Sequence, residues 1–195
     1  MQTIKLGNAI ELTDSINDNS IDVIFTDPPY LKKYLYLYGW LFAEAKRILK
    51  QDGFLLVYAG SYWKDHVMAM ARKNLDYFMD CIVIHKASSP LWPKKVLARQ
   101  KSILVYTQKE ANIKPRVMVH NLYNGNGKQK DNHEWEQPVE EARYYLDCFS
   151  YPNKNVFDPF MGSGTTGVAG KILNMDFIGY EIDKEHFETA KKRLN

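Results

Sequence analysis

An acid, two prolines and an aromatic ring stand together in the segment Asp27-Pro28-Pro29-Tyr30, directly after the apolar run 21–25. Each proline fixes φ and restricts the residue before it, so the segment is a rigid, extended turn that presents backbone carbonyl acceptors. An amine fits this turn: the Asp27 carboxylate and the Pro28 carbonyl each accept one hydrogen bond from an NH2 group, and the Tyr30 ring stacks on the attached base. Pro-Pro-Tyr alone is better explained as a turn plugged by an aromatic side chain.

A second segment that could bind a ligand runs from 155 to 166, through a Gly-Ser-Gly loop and into a helical pattern that begins at Thr165. Glycines there let the backbone pass close to a ligand at a helix N-terminus. The loop is not a phosphate-binding P-loop, because no Gly-Lys-Ser/Thr follows it. The next apolar run ends at Glu181, and an acid at that position after a glycine loop is placed to hold a ribose diol.

The elements that must position these residues alternate along the chain. Short apolar runs rich in β-branched and aromatic residues predict buried strands at 4–6, 21–25, 54–58, 82–85, 103–107, 155–157 and 177–180. Apolar spacing of three and four predicts helices at 41–49, 139–148, 165–173 and 184–194, with Gly53 as the stop signal of the first. Alternation of this kind predicts an α/β fold with a mostly parallel sheet, in which ligands bind at the carboxyl ends of strands.

Length and composition limit the class of protein. A chain of 195 residues with 45% hydrophobic residues supports one full core, so we expect a single domain spanning 1–195. The apolar runs are far shorter than the ~20 residues of a membrane-spanning helix, and no signal peptide is visible. The two cysteines form neither a disulfide framework nor a metal-ligand pattern, so we expect no metal and a cytoplasmic location.

Positive charge is concentrated in one stretch. Ten Lys and Arg and one acid lie between Cys81 and Lys130, so this stretch carries +9 whereas the whole chain carries +3. A charged surface exposed only to solvent would explain a basic run, but aromatic residues such as Trp92 and Tyr106 are interleaved here, which favours nucleic acid. We expect phosphate contacts from Lys94, Lys95, Arg99 and Lys101.

Together, the segments DPPY, DPFMGSGTT and FIGYEID resemble the motifs of amino-directed DNA methyltransferases. Their order is that of the circularly permuted β group. The resemblance implies a Rossmann-like S-adenosylmethionine-dependent methyltransferase fold with one antiparallel strand, and a short basic target-recognition region at about 85–132. It also implies transfer of a methyl group from S-adenosylmethionine to the N6 amine of adenine in DNA, with Asp27, Pro28, Pro29 and Tyr30 as the catalytic residues.

The resemblance extends to two further segments. Asn8 and Ala9 match the strand end that contacts the cofactor adenine, with Asn8 where Asp is common, so that an amide oxygen replaces a carboxylate. Residues 133–139 match the segment beside the methionine pocket, with Gln137 where Lys is common. The residues implied to contact the cofactor are Asn8, Ala9, Asp27, Asp158, Pro159, Phe160, Gly162, Ser163, Gly164, Thr165, Thr166, Glu181 and Ile182.

Several alternatives stay open at this point. Related Pro-Pro-Tyr turns serve cytosine N4, RNA adenine and protein glutamine amides, although Asp before Pro-Pro favours adenine and the basic stretch favours nucleic acid. A module that binds cofactor or DNA without activity is a further alternative. A homodimer is also open, because the aromatic stripe Tyr34, Tyr36 and Tyr38 suits either internal packing or a subunit interface.

Overall fold

The computed structural model describes residues 1–92, 94–125 and 139–195, with eight strands and six α-helices in those ranges. The strands are β1 (Gln2–Leu6), β2 (Ile21–Thr26), β3 (Leu49–Ala59), β4 (Asp76–Leu91), β5 (Val96–Thr107), β6 (Leu122–Asn124), β7 (Asn155–Asp158) and β8 (Asp176–Glu181). The helices are α1 (Ala9–Leu12), α2 (Leu35–Ile48), α3 (Lys64–Ala71), α4 (Val139–Phe149), α5 (Thr165–Ile172) and α6 (Lys184–Leu194).

All eight strands form one sheet in the order β1-β8-β7-β2-β3-β5-β4-β6. Strands β1, β8, β7, β2 and β3 pair in parallel, whereas β5 pairs antiparallel with both β3 and β4. Among the described residues β5 is therefore the one reversed strand, as the sequence predicts. The glycine-loop strand β7 also follows the Asp27 strand β2 in the chain, which is the permuted order.

The central strands are mostly apolar because both of their faces are covered. Every residue of β2 is buried. Val23 and Phe25 belong to one hydrophobic core, with residues of α4, α5 and α6, whereas Ile24 between them belongs to the core that includes residues of α2 and α3. This alternation follows from the two-residue period of a strand, and it fixes the sheet between two helical layers.

The structure corrects the predicted end of the first long helix. Helix α2 ends at Ile48 and passes directly into β3, so Gly53 lies inside a strand and not at a helix end. The pairing of β2 with β3 shifts register between Ile21 and Val23, and a Cβ on Gly53 would lie 2.9 Å from the Asp22 carbonyl oxygen. The glycine therefore marks a close approach of two strands at a bulge.

Three further elements lie outside the sequence prediction. Helix α1 follows β1, helix α3 follows β3, and strand β6 pairs with β4 at the start of the stretch 121–132, whose Asn, Gly and Lys content predicts a loop. The strands and helices that the sequence does predict are all present, with ends that shift by up to seven residues. No helix among the described residues is long and apolar enough to span a membrane.

Strands β2, β7 and β8 are neighbours that run in the same direction, so Asp27, Asp158 and Glu181 come together at one edge of the sheet. Strand β5 runs the other way and pairs Ser102 with Ala59, the last residue of β3. Lys101, immediately before Ser102, is therefore brought to the same edge.

Candidate active site

The glycine loop closes over the end of β8 through backbone hydrogen bonds. Gly162 and Gly164 have φ values of +52° and +82°, a region that favours glycine. The Gly162 N–H donates to Glu181 Oε2 at 2.8 Å, and the Asp183 N–H donates to Glu181 Oε1 at 2.8 Å. Met161 N–H also donates to the Tyr180 carbonyl at 3.0 Å. The structure thus brings the predicted glycines and the predicted acid together.

Asp158 joins this loop to the Asp27 strand. Its side chain is buried, and its Oδ1 accepts hydrogen bonds from Thr26 Oγ1 at 2.7 Å and from the Phe160 N–H at 3.1 Å. Burial raises the pKa of the Asp158 carboxyl to about 7, against the hydrogen bonds that favour its ionised form. Asp158 therefore links the glycine loop to Thr26, the last residue of β2, which immediately precedes Asp27.

The loop is also held from the helix side. Arg193 on α6 donates from Nη1 to the carbonyl and to the hydroxyl of Ser163, each at 2.9 Å. The Phe160 ring meets Trp40 edge to face with centroids 6.0 Å apart. These contacts give Ser163 and Phe160 structural partners within the protein, beside the cofactor contacts that the sequence predicts for them.

In the Asp27 turn, Pro28 is buried and Pro29 is exposed. The Tyr30 hydroxyl donates a hydrogen bond to Asp27 Oδ1, and Lys101 Nζ donates to Asp27 Oδ2 at 2.6 Å. Burial, reinforced by the Asp27 charge, raises the pKa of Tyr30 well above its usual value, so the phenol stays a donor. Both carboxylate oxygens of Asp27 thus accept hydrogen bonds from the protein's own side chains.

Lys101 departs from its predicted place among the phosphate-binding residues. Lys94, Lys95 and Arg99 are exposed on the β4–β5 hairpin, whereas the Lys101 side chain is only 16% exposed and forms an ion pair with Asp27. Its Nζ also lies 4.3 Å from the centre of the Tyr58 ring. Lys101 is thus set apart from the exposed hairpin cations, because β5 carries it to the edge where Asp27 lies, and its contact with phosphate stays a prediction.

Two residues that the sequence does not predict for the site, Tyr58 and Glu141, lie near this ion pair. The hydroxyl of Tyr58, at the end of β3, donates to the carboxylate of Glu141 on α4, and Glu141 is fully buried. Burial raises the pKa of Glu141, and the Lys101 charge acts in the opposite direction. The sequence could have indicated Glu141, because this acid lies beside the apolar positions Ala142 and Tyr145 of a predicted helix. An acid that is buried in this way needs a specific partner.

A cavity of about 200 Å³ connects the two halves of the site. Asp27 and Tyr58 line one part of it, and the glycine loop lines the rest through residues that the sequence analysis assigns to the cofactor. These are Asp158, Phe160, Gly162, Ser163, Thr165 and Thr166. The described residues contain no group of three or more His, Cys, Asp or Glu side chains that could hold a metal ion.

Asn8 caps helix α1. Its Oδ1 accepts from the Ile10 N–H at 3.1 Å, while its Nδ2 donates to Glu11 at 3.1 Å. The amide oxygen keeps a second lone pair, so its role as an acceptor for the cofactor's adenine amine stays a prediction. Ile182 is 72% exposed beside Glu181, while 133–138, including Gln137, fall outside the described residues.

Comparison with known proteins gives consistent results. The model of the family described as DNA methylase (N6_N4_Mtase) matches residues 21–192. The Type II methyltransferase M.HinfI of Haemophilus influenzae is 28% identical over 247 residues, which cover 100% of this chain and 68% of the relative. The Type II methyltransferase M.HpaI of Haemophilus parainfluenzae is 28% identical over 236 residues, covering 100% of this chain and 74% of the relative.

Solved structures agree with the architecture. The crystal structure of an M1.HpyAVI–SAM complex superposes with a TM-score of 0.83 at 27% identity, covering 100% of both chains. PvuII DNA methyltransferase, described as cytosine-N4-specific, superposes with a TM-score of 0.84 at 18% identity, over 100% of this chain and 86% of that one. At 18% identity the second likeness concerns the fold alone.

Proposed function

The chain belongs to the N6/N4 DNA methylase family, and we propose that the base it methylates is adenine, at the exocyclic N6 amine. As a member of this family it is an S-adenosylmethionine-dependent DNA methyltransferase. The observation that carries the proposal is the presence of Asp27 in the lining of a cavity that the glycine loop also lines. Aspartate before Pro-Pro favours adenine over cytosine, where serine at that position is the usual pattern.

The residues present fit S-adenosylmethionine. A Cβ built on Gly162 meets nothing within 4 Å, so the loop leaves open space at that point. Each Glu181 oxygen accepts one backbone hydrogen bond and keeps lone pairs for ribose hydroxyls. Exposed Ile182 offers an apolar surface beside them. When bound, the cofactor supplies an electrophilic methyl group on a sulfonium centre.

The chain's own contribution is to hold and reshape the amine. The lone pair of an exocyclic amine is delocalised into its ring, which makes the nitrogen a poor nucleophile. Acceptance of its two N–H bonds by Asp27 and the Pro28 carbonyl favours a tetrahedral nitrogen, and the carboxylate stabilises the positive charge that develops there. No general base is required, because the methylated cationic amine loses its proton readily. Stacking on Tyr30 offsets part of the few kcal/mol needed to unstack the base.

DNA binding is proposed for the exposed cations of the β4–β5 hairpin, Lys94, Lys95 and Arg99. They lie on the strand pair that also delivers Lys101 to Asp27, so a duplex held there has its bases near the site. We further propose that 1–195 acts as one catalytic domain with its short recognition region at about 85–132. A cytoplasmic location and a homodimer that uses exposed Leu31 and Tyr36 are part of the same proposal.

The test is the identity of the modified nucleoside. The protein is incubated with methyl-labelled cofactor and unmodified bacterial genomic DNA, and the DNA is digested to nucleosides and separated. We expect label in N6-methyladenine. Label in N4-methylcytosine would mean that the target base is cytosine. Label only in RNA or protein would mean that the substrate belongs to another class. If no substrate is methylated, the protein is a module that binds cofactor or DNA without activity.

A further inference from the structure

Lys101 makes contact with two of the three groups that the proposed function assigns to the target base, namely the Asp27 carboxylate and the Tyr30 ring. Its Nζ donates to the Asp27 carboxylate at 2.6 Å, as the target amine is proposed to do. The same Nζ lies 5.1 Å from the centre of the Tyr30 ring, the ring on which the base is proposed to stack. With the Tyr58 ring at 4.3 Å, the ammonium lies close to two aromatic rings beside a carboxylate.

We propose that Lys101 occupies the target-amine subsite in the DNA-free protein and is displaced from Asp27 when the base enters. The inference rests on the proposed function in one respect, namely that Asp27 holds the target amine. An ammonium and an amine are both N–H donors to the same carboxylate, so each competes for the place of the other.

The charge on Lys101 explains why it has to leave. Methyl transfer makes the target nitrogen positive, and Asp27 stabilises that charge only if it is not already neutralised by a neighbouring cation. An ammonium that stayed at 2.6 Å from Asp27 would offset the carboxylate and repel the developing charge. A lysine side chain is suited to leaving, because its flexible four-carbon stem can swing while β5 stays paired.

The position of Lys101 in the sheet links displacement to the proposed DNA surface. Arg99 lies two residues earlier on β5, beside a register shift in the pairing of β4 with β5 between Ile84 and Ser89. A base that supplies both the hydrogen bond to Asp27 and the stack on Tyr30 replaces what Lys101 loses, whereas a ligand that supplies only one of them does not. Only a base that supplies both contacts therefore compensates for the displacement of Lys101.

The experiment compares Lys101→Met with Lys109→Met in steady-state methylation of unmodified genomic DNA. Both variants remove one cation from the same region of the chain, but Lys109 is exposed and follows the opposite end of β5. We expect Lys101→Met to lower the KM for DNA by about tenfold and to raise kcat/KM accordingly, the factor that corresponds to ~1.4 kcal/mol. Lys109→Met is expected to stay within about twofold of the wild type.

Two results would overturn the inference. A higher KM with a flatter dependence on salt would make Lys101 a phosphate ligand. A lower kcat at unchanged KM would make it a support for Asp27 during the chemical step. Lys101→Arg keeps the cation and is expected to keep the high KM. If thermal melting shows that Lys101→Met is not folded, Lys101→Gln is assayed in its place, with the same expected results. The modified nucleoside tests the proposed function separately, since the KM shift does not depend on which base is methylated.

Discussion

The glycine-loop half of the site and the Asp27 half are held by different kinds of contact. In the glycine half, Glu181 accepts from the backbone N–H groups of Gly162 and Asp183, and both partners lie within 19 residues of Glu181. In the Asp27 half, the carboxylate accepts from two side chains, and one of them, Lys101, is 74 residues away. In the proposed cofactor half Glu181 is thus held by backbone groups, whereas in the proposed target half Asp27 is held by side chains.

The difference matches what each half has to do. S-adenosylmethionine is the same in every turnover, so a backbone cradle that costs no reorganisation suits it. The target base arrives only after it has left the duplex, so its subsite is better occupied meanwhile by groups that can be displaced. Substitutions in the two halves should therefore have separable effects on cofactor binding and on methyl transfer.

The largest expected effect is that of Asp27→Ala. It should reduce methyl transfer by at least about 10²-fold, because one acceptor and the nearest counter-charge are lost, while cofactor affinity stays near that of the wild type. Single-turnover methylation and calorimetry measure the two quantities. The double variant Asp27→Ala/Lys101→Met controls for the unpaired lysine, and exposed Asp65→Ala is the matched surface control. Methylation at the wild-type rate would remove Asp27 from the chemistry.

Asp27→Asn sharpens the same comparison. The amide keeps the shape and one acceptor oxygen but loses the charge, so the rate loss should be smaller than for alanine and still large. Equal losses in both variants would mean that the hydrogen bond matters and the charge does not.

The next largest effect is that of Glu181→Ala on the cofactor half. We expect S-adenosylmethionine to bind more weakly by roughly 1–3 kcal/mol, the scale of hydrogen bonds to charged groups. Loss of the hydrogen bond from Gly162 to Glu181 adds to this by loosening the loop. Calorimetry on the folded variant tests the prediction, and Glu185→Ala, four residues along the chain, is the control. Unchanged affinity would exclude Glu181 from the cofactor site.

The smallest effect is expected from the hairpin cations. Lys94→Gln, Lys95→Asn and Arg99→Gln together should weaken binding to all DNA sequences alike, with Asn chosen because Lys95 has a φ of 54°. The slope of log affinity against log salt should flatten by up to about 3, since each phosphate contact contributes ~0.9. The control changes exposed Lys73, Lys109 and Lys192 to Gln. An unchanged slope would mean that the hairpin cations only face solvent.

Much of the fold follows from local sequence patterns. The apolar runs predict the strands that build the sheet, and the carboxyl ends of β2, β7 and β8 carry the predicted motifs. The antiparallel strand comes from the family resemblance, and the structure confirms it. Gly53 shows the limit of local rules, because a glycine signals special backbone geometry without stating whether a helix ends or two strands approach.

The sequence by itself determined the chemistry of the two motifs, since a Pro-Pro turn after an acid and a Gly-Ser-Gly loop before a helix are defined by neighbouring residues. The cofactor and the family inferred from them are confirmed. Only the tertiary structure decided which side chains surround Asp27. Lys101 reaches it because β5 is reversed, and Glu141 reaches Tyr58 across 83 residues because α4 packs over the sheet. Such contacts depend on the pairing of distant elements, which no local spacing of residues encodes.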